Sequence, residues 1–281
     1  MKKTTVLLTG SDGFLGSALV ARLLKSCVSL VLPTRRRSRL ESAGGDNLRR
    51  PYVADLFAAP DASLDKLLAG VDIVIHAAWN SGSDRYHSAQ NLHSMRGSLA
   101  LAQAAVRSRV RKFVGIGTAS EYGLQESPIP STSPTNPSNL YGASKVSTHL
   151  VQKQLFSRAG LDFAWIRLFN LYGASEDPSR LFRYVHEQIQ NGRTVELGPA
   201  NVVRDYLDVT EAADQITIIA LGDMIGPLNV CSGKGQSIRQ IAEGIADQYG
   251  RRDLLRFGSR SRRSFEPLEL VGVPSLPELP K

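Results

Sequence analysis

The sequence has only two cysteines, Cys27 and Cys231, in 281 residues. That excludes a disulfide framework and a cysteine-built zinc site, and buried free thiols are the plain reading of both. No stretch comes near the ~18 consecutive apolar residues of a membrane-spanning helix, so no membrane partner is expected. The short apolar run in the first ten residues ends in a glycine-rich turn, not a small-residue cleavage site, and reads as a strand rather than a signal peptide. A cytoplasmic protein is expected. The five histidines show no H-x-x-x-H or other metal spacing, so no metal is expected. There is no internal repeat. Nor is there any acid between Asp12 and Glu41.

What remains is an ordinary globular composition, 42% hydrophobic and 21% charged, which excludes collagen-like and disordered classes. The length suits one large domain or two small ones. Thirty-four Lys and Arg against 26 Asp and Glu give a net charge of +8. The excess is clustered: Arg35, Arg36, Arg37 and Arg39; Arg107, Arg109, Arg111 and Lys112; Arg251, Arg252, Arg256, Arg260, Arg262 and Arg263. Without a nucleic-acid-binding motif or interleaved aromatics, nucleic acid is not expected, and phosphorylated small molecules are the better partners. For any single cluster a solvated face is the plain alternative.

Apolar runs at Val6–Leu8, Val28–Leu32, Val71–Ala77, Phe113–Ile116 and Phe163–Leu168 lack polar alternation. Helical patterns separate them: Phe14–Lys25, Asp61–Leu68, a stretch through Leu99, Ala102 and Val106, and Tyr141–Ser157. Such strands belong in a parallel sheet covered on both faces, a doubly wound α/β (Rossmann) domain. Beyond Arg167 helical signals return at Arg180–Gln190, Glu211–Leu221 and Ser237–Tyr249, broken by Gly and Pro. This predicts a smaller mixed α/β region on the C-terminal side. The expected division is 1–170 with 205–223 for the dinucleotide, and 171–204 with 224–281 for the substrate. Glu266–Lys281, with four prolines, reads as a strap or loose tail.

Thr9-Gly10-Ser11-Asp12-Gly13-Phe14-Leu15-Gly16 joins the first strand to the first helix. Glycine there permits a tight turn, close approach of a pyrophosphate, and helix-on-strand packing, with the helix N-terminus facing the anion. An ordinary strand-to-helix turn is the alternative, but the position after the first strand favours a dinucleotide. A free ribose 2′-hydroxyl would call for an acid about 20 residues on. Thr34, Arg35, Arg36 and Arg37 stand there instead, a set that suits a 2′-phosphate, so NADP(H) is expected over NAD. Asp55 and Leu56 are placed to meet the adenine edge.

Tyr141 and Lys145, at i and i+4, share a helix face. A nearby ammonium favours the phenolate and brings a tyrosine pKa toward the working range. Thr118 ends the strand Phe113–Gly117, at the edge where open α/β sheets bind ligands. With these residues in view, TGSDGFLG (Thr9–Gly16), HAAW (His76–Trp79), GTASEYG (Gly117–Gly123), YGASK (Tyr141–Lys145) and RLFNLYG (Arg167–Gly173) fall in the order and spacing of a known family. The chain resembles the extended short-chain dehydrogenase/reductases, the NAD-dependent epimerase/dehydratase group that acts on nucleotide sugars. The resemblance covers roughly residues 4–270.

It implies that Tyr141 is the proton donor or acceptor, that Lys145 lowers its pKa and binds the nicotinamide ribose, and that Thr118 orients the reacting oxygen. It implies that His76 positions backbone near the cofactor, with Ala77 and Ala78 beside it. Trp79 walls the sugar pocket or is a core tryptophan. Asn170 matches an asparagine near the sugar and its phosphates, Arg204 an arginine on the diphosphate, and Arg263 a second. The acid and base that sugar 4,6-dehydratases carry beside the threonine are replaced by Ala119 and Ser120, and Glu121 should point elsewhere. Two departures are Ser94, where many relatives have Asn, and an end without the usual final helix.

The expected activity is therefore NADPH-dependent reduction of the C4 ketone of a nucleotide-diphosphate-linked 4-keto-6-deoxyhexose, in a homodimer, with Ser120 on the substrate side. The alternatives are a C4 epimerase with tightly held NAD and a non-catalytic NADP-binding regulator.

Overall fold

The computed structural model describes residues 3–36, 47–80, 82 and 84–277. Arg37, Arg39 and Glu41 lie outside the described residues, as do 278–281 of the tail.

The first half alternates strand and helix: β1 (Thr4–Thr9), α1 (Phe14–Leu23), β2 (Val28–Val31), β3 (Leu48–Arg49), α2 (Asp61–Leu68), β4 (Ile73–His76), α3 (Gln90–Arg107), β5 (Lys112–Ile116), α4 (Leu140–Ala159) and β6 (Asp162–Leu168). The strands form a seven-stranded sheet, ordered β10-β6-β5-β4-β1-β2-β3, where β10 is Gly226–Val230. Every pairing in it is parallel. The doubly wound α/β fold is thus as expected. Because both faces are covered, β4 and β5 are buried along their whole length, which is why their sequences do not alternate. One face packs Val6, Leu19, Ile75 and Ile216; the other packs Leu7, Leu101, Phe113 and Trp165. Each large side chain buried this way contributes about 1.5–3 kcal/mol.

The second region holds β7 (Asn170–Tyr172), α5 (Leu181–Gln190), β8 (Val195–Glu196), β9 (Val203–Asp208), α6 (Val209–Leu221), β11 (Gly235–Ser237), α7 (Ile238–Asp247), β12 (Leu255–Arg256) and β13 (Glu269–Leu270). β9 is its hub, pairing with β7, β11 and β13, and β8 pairs with β12. Two segments fall on the other side of the expected division. Gly226–Val230 is an edge strand of the large sheet, paired with β6, and Asp205–Asp208 belongs to β9 in the small one. The reason is topological: the chain crosses between the layers three times, and only long-range pairing shows where each short strand docks.

The C-terminal stretch is a strap. β13 lies parallel to β9, and Gly272 bridges to Ile129. Lys112, a member of the second basic cluster, is fully buried, so a solvated face does not describe it. Its ammonium donates to the Ile219 and Gly222 carbonyls at 2.6 and 2.7 Å and ties the end of α6 to the sheet. Among its neighbours Arg107 pairs with Asp65 at 2.8 Å, and in the third cluster Arg251 pairs with Asp253 and Arg252 with Asp247. Several of these charges are thus partnered inside the molecule. Among the described residues no helix is long and apolar enough to cross a membrane.

Candidate functional site

A cleft of about 1010 Å³ runs across the carboxyl ends of the central strands and on under the second region. Its cofactor-side lining includes Gly10, Asp12, Gly13, Phe14, Leu15, Gly16, Thr34, Arg35, Arg36, Asp55, Leu56, Ala77 and Ala78, and further along come Trp79, Thr118, Ser120, Tyr141, Lys145, Asn170 and Arg204. Arg263 is not part of that lining.

At one end the wall is backbone. Gly10 has φ +73°, and a Cβ on it would stand 2.8 Å from the Ala78 nitrogen; a Cβ on Gly16 would stand 1.9 Å from the Gly10 carbonyl oxygen. The turn, the first turn of α1 and the Ala77–Ala78 segment therefore meet main chain to main chain. This cradle suits a dinucleotide pyrophosphate, with the N-terminus of α1 open to it. A buried relay fixes the Ala78 side. The His76 ring lies 2.7 Å from both the Thr9 and Ser98 hydroxyls, and the Ala78 N–H donates to Thr9 Oγ1 at 3.2 Å. Burial holds His76 neutral, its pKa pushed down to about 3.

Beyond β2, Arg35 and Arg36 are exposed on the cleft rim. Thr34 is buried and donates its hydroxyl to Asp12 Oδ2 at 2.8 Å, and the Arg36 N–H donates to Thr34 at 3.1 Å. Sequence reading paired Thr34 with a phosphate; the structure gives it a carboxylate neighbour from the glycine-rich turn. The Asp55 carboxylate accepts the Phe57 N–H at 2.8 Å and lies 2.9 Å from His93 Nε2.

The other end is built of side chains. α4 starts with Asn139 accepting the Gly142 N–H at 2.9 Å. A Cβ at 142 would stand 2.6 Å from the Ser120 carbonyl oxygen. Glycine there lets α4 close on the turn Thr118–Glu121 and brings Tyr141 beside Thr118. Tyr141 is flanked by Trp79 and Tyr86, with ring centroids 6.4 and 6.2 Å away. Desolvation pushes its phenol up to about 12, against the pull of the Arg85 charge and the Thr118 hydroxyl.

Lys145, the residue expected to bring the phenol pKa down, is held by two other groups. The Lys145 ammonium donates to the Ile116 carbonyl at 2.6 Å and sits 3.8 Å from the centroid of the Trp79 ring, against 5.9 Å for Tyr141. Burial pushes Lys145 itself down to about 7. The Arg85 charge favours the Tyr141 phenolate.

Asn170 donates to the Asp205 carbonyl at 3.2 Å. Arg204, buried, donates to the Val203 and Leu268 carbonyls at 2.8 and 3.2 Å and lies 3.6 Å from Glu266. Arg263, expected as a second arginine on the diphosphate, instead pairs with Glu266 at 2.9 Å on the rim and packs 5.0 Å from the Tyr86 ring centroid. Its side chain is 55% exposed, because the strap turns it outward before Phe265.

Sequence reasoning missed Arg85, Tyr86 and Phe265. Arg85 donates to the Tyr86 hydroxyl at 3.0 Å, and Tyr86 meets Phe265 at 5.1 Å between centroids. The loop is pinned by Asn91, which donates to the Arg85 carbonyl at 2.7 Å and accepts the Trp79 indole N–H at 2.9 Å. An arginine and a tyrosine on the loop following a parallel strand were the available signal. Ser94, the departure noted in α3, accepts the Asn80 N–H at 3.1 Å.

Residues 6–230 match the model of the NAD dependent epimerase/dehydratase family. A dTDP-6-deoxy-L-talose 4-dehydrogenase (NAD(+)) of Aggregatibacter actinomycetemcomitans is 21% identical over 276 residues, covering 95% of this chain and 99% of that protein. A UDP-glucose 4-epimerase of Mycolicibacterium smegmatis is 30% identical over 268 residues, covering 88% and 83%. The solved structure of DesIV, a dTDP-glucose 4,6-dehydratase of Streptomyces venezuelae with NAD and TYD bound, superposes with a TM-score of 0.84 at 25% identity, over 96% of this chain and 88% of that one. A UDP-N-acetylglucosamine 4-epimerase of Methanobrevibacter ruminantium M1 shares the fold, with a TM-score of 0.85 at 24% identity over 98% and 91%. With the family model spanning most of the chain, and a cleft in this position on this sheet, the chain belongs to the NAD dependent epimerase/dehydratase family.

Proposed function

We propose that the chain is an NADPH-dependent reductase of the C4 ketone of a nucleotide-linked 4-keto-6-deoxyhexose. The observation that carries this reading is the surroundings of Thr118. Ala119 is buried, Ser120 faces the cleft, and Glu121 is turned under the site with no exposed surface. Tyr141 is then the proton-transfer group that lines the cleft beside Thr118. Elimination of water across C5 and C6 needs an acid and a base that these positions do not offer, whereas reduction needs a single proton.

The backbone cradle and the α1 N-terminus fit the pyrophosphate of a dinucleotide, and Arg35 and Arg36 fit a 2′-phosphate. When bound, NADPH supplies the hydride for the ketone carbon. The chain's own residues do the rest. Thr118 donates its hydroxyl to the ketone oxygen and orients it. Tyr141 Oη gives its proton to the same oxygen, and its raised pKa keeps that proton in place at neutral pH. Lys145 holds the nicotinamide ribose. Asn170 and Arg204 bind toward the diphosphate, and Trp79 and Tyr86 wall the sugar. Among the relatives, names that place the reaction at C4 support the choice of carbon. A homodimer is part of the proposal, since Leu92 on α3 and Leu150 and Val151 on α4 are exposed apolar side chains.

The test is a panel of 4-keto-6-deoxyhexose nucleotides with NADPH, followed by loss of nicotinamide absorbance and product identification. Release of a 4-keto-6-deoxy product from an intact 4-hydroxy nucleotide hexose would overturn the reading.

One observation favours a second reading, a C4 epimerase that retains NAD. The Asp12 carboxylate, 2.8 Å from the Thr34 hydroxyl, brings an acid to the ribose end of the cleft. An epimerase would purify with NAD bound and turn over with none added.

A further inference from the structure

Glu121 has no exposed surface and takes no part in the chemistry proposed above. Its Oε1 accepts the Thr118 backbone N–H at 2.9 Å, and the Trp165 indole N–H lies 3.0 Å from both carboxylate oxygens. Oε2 accepts from Arg167 Nε at 3.0 Å. Arg167 is buried too, and donates onward to the Tyr122 hydroxyl at 3.2 Å and the Ser131 carbonyl at 2.9 Å. The Tyr122 hydroxyl donates to Asn229 Oδ1 at 2.6 Å, and the Asn229 amide donates to the Ile129 and Val273 carbonyls at 2.8 and 3.2 Å. A continuous line of polar contacts, buried at its centre, thus joins Thr118 to the C-terminal strap.

Glu121 also completes a capping box with Thr118, but a capping box needs no buried charge. Nor does stability alone explain the ion pair, because well-packed apolar residues of similar volume are often as stable or more so. What the pair supplies is geometry. Thr118 is the last residue before the turn that α4 packs against. Its Oγ1 accepts the Ser120 N–H at 3.2 Å, and its hydroxyl lies within hydrogen-bond reach of Tyr141. The site is built around this carboxylate: a Cβ on Gly117 would stand 2.3 Å from Oε1 and 2.4 Å from Trp165 Nε1.

We propose that Glu121 is a positioning residue that acts through Thr118, holding the Thr118 backbone by its N–H so that the hydroxyl meets the sugar oxygen beside Tyr141. The proposal rests on the role given to Thr118 above. It assigns Arg167 the task of fixing the carboxylate, and the strap the task of fixing Arg167.

Two paired substitutions separate positioning from folding. Glu121→Gln with Arg167→Gln replaces the ion pair by an amide pair and keeps an oxygen for the Thr118 N–H. Glu121→Leu with Arg167→Met keeps the volume and removes that oxygen without leaving a lone buried charge. Turnover of dTDP-4-keto-6-deoxyglucose with NADPH should fall 10- to 100-fold in the apolar pair and recover to within about fivefold of wild type in the amide pair. KM and NADPH affinity should move less than threefold in both. Hydrogen exchange of the Thr118 amide should accelerate at least tenfold in the apolar pair alone, with the β5 amides unchanged. Adding Thr118→Val to the apolar pair should cost little further turnover, as expected when two changes act through one group.

Wild-type turnover in Thr118→Val would overturn the reading of the site. A slow Thr118→Val beside an apolar pair that turns over like wild type, or one whose Thr118 amide stays protected, would overturn this proposal alone.

Discussion

The two ends of the cleft are made of different materials. The cofactor end is main chain against main chain: Gly10, Gly16 and Ala78 approach so closely that a single added Cβ would collide. The sugar end is side chain against side chain: Tyr86 on one loop meets Phe265 on the strap, Arg263 covers Tyr86, and Arg204 faces Glu266. A backbone surface accepts any dinucleotide of the right shape and tolerates little change in itself. A side-chain surface selects its ligand and can be altered one group at a time. The comparison also explains why the first end is written in the sequence as a run of glycines while the second leaves no local motif.

The largest effect should come where the two ends meet. Tyr141→Phe keeps the ring and its packing, so NADPH affinity should stay within about twofold while turnover falls roughly 100- to 10,000-fold. Stopped-flow single turnovers and a fluorescence titration measure the two. Equal turnover would place the chemistry elsewhere.

Acid should destabilise the fold that carries both ends. His76, beneath the cradle, has its pKa pushed down to about 3 by burial, and His149, stacked on Trp165 at 5.1 Å, is pushed down to about 4. The unfolded chain takes up these protons near pH 6.5, whereas the folded chain does not until pH 3–4. Stability should therefore fall as pH drops through 6.5, by roughly 2 kcal/mol per histidine at pH 5. Urea melts at pH 7 and pH 5 measure this, and His149→Phe should remove about half of the difference.

A smaller effect tests how selective the backbone end is. Arg35→Ala and Arg36→Ala should each weaken NADPH about tenfold, near 1.4 kcal/mol, and leave NADH nearly unchanged. Equal losses for both cofactors would make these arginines a solvated rim. The smallest effect belongs to the wall: Tyr86→Ala should raise the sugar-nucleotide KM severalfold and spare NADPH affinity. A loss confined to NADPH would reverse the assignment of the two ends.

Much of this was legible beforehand, element by element. Val6–Leu8, Ile73–Ile75 and Phe113–Ile116 have no polar alternation because both faces of their sheet are covered, and that pattern survives in the residues themselves. Tyr141 and Lys145 share a helix face by spacing alone. Their electrostatics were not legible. Lys145 is drawn to the Ile116 carbonyl and the Trp79 ring, and neither partner is close to it in the chain. The two-residue strands β8, β12 and β13 were equally silent, since two residues carry no period and exist only through their partners. Arg263 was misplaced for the same reason: its neighbour Glu266 could be read, but which way the strap turns could not.

By itself, then, the sequence determined the parallel sheet, the glycine cradle and the helix face that Tyr141 and Lys145 share. Each of these rests on contacts between residues close in the chain or on a burial pattern that recurs along it. Only the tertiary structure decided the buried Glu121–Arg167 pair, the Asp12–Thr34 contact, the wall of Tyr86 and Phe265, and the transfer of Gly226–Val230 to the large sheet. These depend on segments distant in the chain coming together, and no local propensity encodes the free energy of such a meeting.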